Sequence, residues 1–348
     1  MNSPDTVTSP LLQAAKTTQT ALWNDSSDLD ELGTSISYGA VGATCNPVIA
    51  YTTIKSHLDV WEPRIRAIAE ANPTWSEAQI GWQAVKDMSI EAAKLLEPAF
   101  VEHKGRNGRL SVQTDPRLHR DAEALVEQAL EFHQLADNIV VKVPATSVGV
   151  KAMEEATYRG VSMNVTVSFS VAQAVRSAEA IERGLERREA DGHDVSAMSP
   201  VVTIMVGRLD DWMKHVVARD GTFINPSALD WAGVAAFKKA YGIFRKRGFR
   251  SRLLSAAFRS VKHWSEFVGG DVVVSPPFKW QQIINNSDYE TVPRMDNPVP
   301  EEYLQELRRL EDFNKAYDED GMTVEEFDSF GPTRRTLRQF LQADVDLD

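Results

Sequence analysis

One lysine is the first residue in this chain whose setting suggests chemistry. In the stretch Asn138-Ile-Val-Val-Lys-Val-Pro-Ala-Thr146, four branched apolar residues, Ile139, Val140, Val141 and Val143, surround Lys142. Such a run reads as a strand buried on both faces, as in parallel sheets. Pro144 should end it, because proline cannot donate to a ladder. A lysine held in that strand loses solvation, which disfavours its charged form. A desolvated amine is a good nucleophile toward a carbonyl. The plainer alternative is a lysine that snorkels from the strand end to pair with a carboxylate.

The elements needed to position that amine follow a regular rhythm. Strand-like pieces lie at Thr20–Asp25, Gly42–Pro47, Arg109–Asp115, the lysine stretch, Val161–Ser168, Pro200–Val206, Arg252–Ala257 and Asp271–Ser275. Helical patterns separate them, including Thr53–Phe100, which Pro73 should split and Thr74 or Ser76 could cap, and Leu118–Ala136. Eight strands alternating with helices predict a closed (β/α)8 barrel of the α/β class. An open doubly wound sheet is the rival, weakened by the lack of a glycine-rich phosphate loop after the first strand. Residues 1–18 read as an N-terminal extension and 19–348 as one barrel domain. Residues 299–345 read as charged helices packed on the barrel's outside, interrupted by a loop at Gly331-Pro332.

Bulk composition narrows the partners. The 348 residues are 43% hydrophobic and 25% charged, ordinary for a globular protein, and carry a net charge of −12. That charge repels nucleic acid and anionic membrane, so an anionic substrate must be drawn in by local arginines. The single cysteine, Cys45, excludes an intramolecular disulfide and reads as a small buried apolar residue. No run of apolar residues is long enough to cross a membrane, and the N-terminus lacks a signal pattern, so a cytoplasmic location is expected. The seven histidines show no metal-ligand spacing, and neither metal nor cofactor is expected. A patch between barrel helices could serve a homodimer.

In a barrel the strand ends converge on one pocket. The polar residues there would be Asp25, Thr44, Asn46, Gln113, Asp115, Lys142, Asn164, Thr166, Ser168, Thr203, Arg208 and Arg259. That set suits class I aldol chemistry: a lysine for a Schiff base, a carboxylate for the hydroxyl proton, amides and hydroxyls for a sugar, arginines for a phosphate. Bland roles compete. Asp25 could be a helix cap, with Asp28 and Asp30 rivals for its chemical role. Gln113 could bond a neighbouring strand, and Asn46 could be a turn residue before Pro47. Arg208, followed by Asp210 and Asp211, could be a salt-bridged helix opener. Arg250 and Arg252 lie close in sequence to Arg259.

Taken in order, the segments ATCNP, GRLSVQTDPRL, NIVVKVPAT, NVTVSFSVAQA, VGRLDDW, AAFRS and DGMTVEEFDSF resemble the transaldolase family, from about Ala21 to Phe340. The resemblance implies a (β/α)8 barrel that acts on sugar phosphates without a cofactor. It implies Lys142 as the Schiff-base lysine, Asp25 as the proton-handling carboxylate and Thr166 beside the catalytic water. It further implies Asn46 and Asn164 as sugar ligands, Arg208 and Arg259 as phosphate ligands, and Thr44 and Thr203 as pocket hydroxyls. The chain departs from the pattern at three places. Gln113 stands where most members have a water-activating glutamate, as in the fructose-6-phosphate aldolase branch; an amide orients water but cannot take its proton. Ala257 replaces a serine next to the phosphate arginine, and Met205 replaces a pocket aromatic. Three functions therefore compete: a transaldolase, an aldolase releasing dihydroxyacetone, and an inactive sugar-phosphate-binding relative.

Overall fold

The computed structural model describes residues 9–347; of the expected N-terminal extension, residues 1–8 lie outside that range. Eight parallel strands form the centre: β1 (Ala21–Asn24), β2 (Ala40–Cys45), β3 (Arg109–Gln113), β4 (Ile139–Pro144), β5 (Met163–Thr166), β6 (Val201–Ile204), β7 (Arg252–Ala256) and β8 (Val273–Ser275). Each pairs with the next, and β8 pairs with β1, so the sheet closes into a barrel with helices between the strands. Closure leaves no unpaired edge.

Side-chain alternation divides the core in two. On β4, Ile139, Val141 and Val143 point outward into the large apolar layer shared with the helices. Val140 points inward and packs with Ala21, Trp23, Val201, Leu254, Ala256 and Val273 inside the barrel. Lys142, two residues beyond Val140, therefore also points inward. Trp23 fits because Gly42 lies beside it; a Cβ there would sit 2.4 Å from the indole. Below this layer two buried arginines plug the N-terminal end. Arg109 donates to the carbonyls of Gly105, Asp137 and Ala197, and Arg252 to the carbonyl of Arg106.

Several boundaries differ from expectation for identifiable reasons. Pro47 opens a helix, Pro47–Ser56, rather than merely ending a strand; proline suits the first helical position. The following helices are Leu58–Ala71 and Glu77–Glu102, and Ser76 with Gln79 forms a full capping box on the second. The pattern from Leu118 shortens to Ala122–His133, with Asp121 as its cap and a 3₁₀ turn at Pro116–Leu118 before it.

The C-terminal segment requires a correction. Helices Glu301–Arg308 and Glu311–Tyr317 do pack outside the barrel against other helices. Gly331-Pro332, however, begins a helix, Gly331–Val345, which packs against Pro47–Ser56, the turn after β3 and the helix after β6. All three follow strand C-termini, so this last helix lies over the barrel's C-terminal mouth. Gly331 permits the approach, since a Cβ there would lie 1.9 Å from the Trp212 ring.

Candidate active site

Strand register brings the expected residues to one level. Gln113 is the partner of Lys142 across β3–β4, and Lys142 is the partner of Asn164 across β4–β5. Pro144 pairs with Thr166 one step nearer the mouth. Lys142 is 5% exposed. Burial lowers its pKa, with a contribution from the Arg208 charge, while Asp25 and Cys45 oppose the shift. The amine is thus pushed toward its neutral, nucleophilic form.

Asp25 follows β1 directly, and Thr44 Oγ1 donates to its Oδ1 at 2.5 Å. The two rivals are placed elsewhere. Asp28 caps helix Leu29–Ser37 and pairs with His57 at 2.5 Å, and Asp30 is exposed in that helix's first turn. The loop holding Asp25 is fixed from beneath by Gln281, which donates to Asn24 Oδ1 at 2.7 Å and to the Pro276 carbonyl at 3.1 Å.

Asn164 is locked in a chain. Its Nδ2 donates to Ser111 Oγ at 2.8 Å, and Thr203 Oγ1 donates to its Oδ1 at 2.8 Å. Asn46 caps helix Pro47–Ser56 by accepting from the Ile49 amide at 3.0 Å, which is the turn-type role weighed for it. Gln113 Oε1 and Thr166 Oγ1 are buried and carry no hydrogen bond among the described residues. Buried polar atoms of this kind are costly unless a ligand or water completes them. Ser168 Oγ shares that condition, whereas Asp115 is bound to Arg117 and to its own loop.

The arginines separate clearly. Arg208 begins the helix after β6 but forms no salt bridge with Asp210 or Asp211. It donates to Thr336 Oγ1 at 3.2 Å and Gln339 Oε1 at 2.6 Å, both on the C-terminal helix. Burial first, and the Arg259 charge second, hold its pKa down to about 10. Arg259 pairs with Asp211 at 2.8 Å and also donates to the carbonyls of Ala257 and Phe258. Arg250 instead pairs with Glu182 and Glu189, and Arg252 plugs the opposite barrel end. Arg208 and Arg259 thus line one cavity of about 210 Å³.

Two strained turns frame the site. Val167 after β5 and Ala257 after β7 have φ of 51° and 62°. Non-glycine residues hold such angles only where the surroundings over-determine them. Gln173 donates to the Val167 and Ala145 carbonyls, each at 3.1 Å. The Ala257 turn presses its carbonyl against Gly207, where a Cβ would come within 2.0 Å. A buried pair supports it: His263 Nδ1 accepts the Arg259 N–H at 3.0 Å, and its Nε2 bonds Asp210 Oδ2 at 2.8 Å. Met205, where an aromatic was expected, is buried and precedes the helix bearing Arg208.

Gln281, His263, Asp210, Thr336 and Gln339 were not anticipated as supports. No local pattern marks them: Gln281, Thr336 and Gln339 act on residues distant in sequence, and His263, though only four residues from Arg259, is held by the distant Asp210.

Comparison with known proteins points to one family. The family model described as transaldolase/fructose-6-phosphate aldolase matches residues 22–330. "Transaldolase 1" of Streptomyces avermitilis is 32% identical over 208 residues, covering 59% of this chain and 54% of that protein. "Transaldolase" of Mycobacterium tuberculosis is 28% identical over 249 residues, covering 69% and 66%. "Transaldolase" of Arthrobacter sp. is 29% identical over 208 residues, covering 59% and 55%. The chain thus spans between about half and two thirds of the length of these relatives.

Proposed function

The chain belongs to the transaldolase/fructose-6-phosphate aldolase family, and from that premise we propose that it transfers a dihydroxyacetone unit from a ketose phosphate to an aldose phosphate. The observation that carries the reading is the desolvated Lys142 amine, level with Gln113 and Asn164 and sensing both the Asp25 carboxylate and the Arg208 cation.

In this mechanism the neutral Lys142 amine adds to the donor ketone, and loss of water gives an iminium ion. Asp25 takes the proton of the hydroxyl two carbons from the iminium carbon. The bond joining that hydroxyl-bearing carbon to the carbon next to the iminium breaks, its electrons flow into the iminium to give an enamine, and the hydroxyl carbon leaves as the aldehyde of an aldose phosphate. The dihydroxyacetone unit remains on Lys142 as an enamine. Its carbon attacks an acceptor aldehyde, Asp25 returns the proton, and water releases the new ketose phosphate. Thr44 orients Asp25 through its hydrogen bond. Asn164, steered by Ser111 and Thr203, presents its amide to the sugar. Asn46 adds a second amide at the rim. Arg208 and Arg259 hold the terminal phosphate. Thr166 and Gln113 offer oxygens to the water of the hydrolysis step.

Borohydride reduction in the presence of fructose 6-phosphate tests this reading. A reduced three-carbon adduct on the Lys142 peptide is expected; an unmodified peptide rejects the reading for this donor.

Gln113 favours a second reading, an aldolase that releases dihydroxyacetone without an acceptor. An amide orients water without removing its proton, so the fate of the enamine depends on what reaches it. Free dihydroxyacetone formed equally with and without erythrose 4-phosphate would select the aldolase; product formed only with acceptor selects the transferase. The same reading takes the protein as cytoplasmic, in keeping with its single cysteine.

A further inference from the structure

The cavity shared by Arg208 and Arg259 has a third cationic wall. Arg335, on the C-terminal helix, lines it together with Asp211, Thr336 and Gln339. Three guanidiniums therefore face one carboxylate, an excess of two positive charges within a chain whose overall charge is −12.

The three arginines are not equivalent. Arg259 already holds Asp211. Arg208 has only neutral oxygens, Thr336 Oγ1 and Gln339 Oε1, as acceptors, and its Nε is buried without a partner. Arg335 forms no ion pair or hydrogen bond among the described residues, and its charge is felt at Arg208. A solvated surface arginine would be the ordinary explanation. Arg335 and Gln339 are both exposed, but they lie four residues apart on one helix, so Arg335 shares the face from which Gln339 contacts Arg208, and it lines the cavity rather than open surface. The family match ends at residue 330, so this helix lies beyond the matched stretch.

We infer that Arg335 is a specificity-determining residue that completes a clamp for a terminal dianion, a phosphate monoester, and discriminates against a singly charged tail such as a sulfonate. The inference rests on the sugar-phosphate reading above and adds the element that selects the charge of the tail. A phosphate monoester carries nearly two negative charges near neutral pH and three acceptor oxygens. It matches the charge excess, whereas a sulfonate neutralises half of it. The incoming anion takes the place of Gln339 Oε1 on Arg208, and the Thr336 hydroxyl turns its proton toward it. Hydrogen bonds from guanidinium groups to a dianion are charge-assisted and among the stronger ones a protein makes.

The test is calorimetric binding of inorganic phosphate and of methanesulfonate to the full chain near pH 8, comparing wild type with Arg335→Gln and Arg335→Lys. Wild type should prefer phosphate by at least about tenfold. Arg335→Gln should weaken phosphate binding by roughly 10- to 100-fold and narrow the preference, while Arg335→Lys recovers part of it. Circular dichroism of each variant verifies the fold. Equal phosphate affinity in wild type and Arg335→Gln overturns the clamp, as does a wild type that binds both anions alike. In steady-state assays of fructose 6-phosphate, Arg335→Gln should raise KM far more than it lowers kcat. Failure of borohydride to label Lys142 rejects the proposed chemistry instead, while the anion comparison still decides the clamp.

Discussion

Gln113 and Lys142 are register partners on adjacent parallel strands, so an amide rather than a carboxylate stands level with the buried amine. Replacing that amide, in Gln113→Glu, adds a group able to take a proton from water and a negative charge close to the amine. The charge should raise the Lys142 pKa toward its ordinary value. The acid limb of the pH–rate profile should accordingly move to higher pH, and hydrolytic release should accelerate. An unchanged profile would separate Gln113 from the water step.

Asp25 can be tested without removing the Schiff base. In Asp25→Asn the Thr44 hydroxyl still has an oxygen to bond, but proton transfer is lost. Turnover should fall by about 10²- to 10⁴-fold, while borohydride continues to label Lys142. Loss of labelling together with turnover would move Asp25 to an earlier step.

Lys142 links activity and stability to pH with a definite sign. Burial sets its folded pKa below its unfolded one. Between those values the unfolded chain binds more protons, so stability rises with pH across that window and the cost of burying the amine fades near about pH 10. A Lys142→Met variant, inactive but close in volume, should gain most over wild type at mildly acidic pH and progressively less as pH rises. Thermal melts between about pH 6 and 10 measure this; a gap that widens with pH would contradict it. Activity should rise with pH through the same lowered pKa.

His263 and Asp210 form a fully buried pair beneath the Arg259 turn, and Asp210 also accepts the Gly233 N–H at 2.8 Å. His263→Ala removes one donor from a buried carboxylate and the acceptor for the Arg259 amide. It should destabilise the fold by about 3 kcal/mol, read from urea midpoints, and raise KM for phosphorylated substrates. His263→Asn, which retains donors and acceptors, should recover part of both. If neither quantity moves, the pair does not position Arg259.

The legible parts of this molecule were those written in short stretches. The clearest strand, β4, is a run of branched apolar residues closed by Pro144, and β6 and β8 are short valine-rich runs of the same kind. Lys142 was conspicuous because a charge in such a run contradicts its surroundings. Asn46 was harder: Asn-Pro reads as a turn, and here the turn is also a helix cap. The C-terminal helix was misread as outer packing because its amphipathic pattern identifies a buried face without naming what buries it.

By itself the sequence determined the alternation of strands and helices, the burial of β4 on both faces and the chemical types gathered at the strand ends, because apolar runs and proline stops are local. Only the tertiary structure decided which charges meet. Asp25 rather than Asp28 reaches Thr44, Arg259 rather than Arg208 takes Asp211, and Arg335 lines the cavity with both arginines. These choices depend on barrel closure and on where the last helix lands. Both bring together residues far apart in the chain, and no local pattern encodes that meeting.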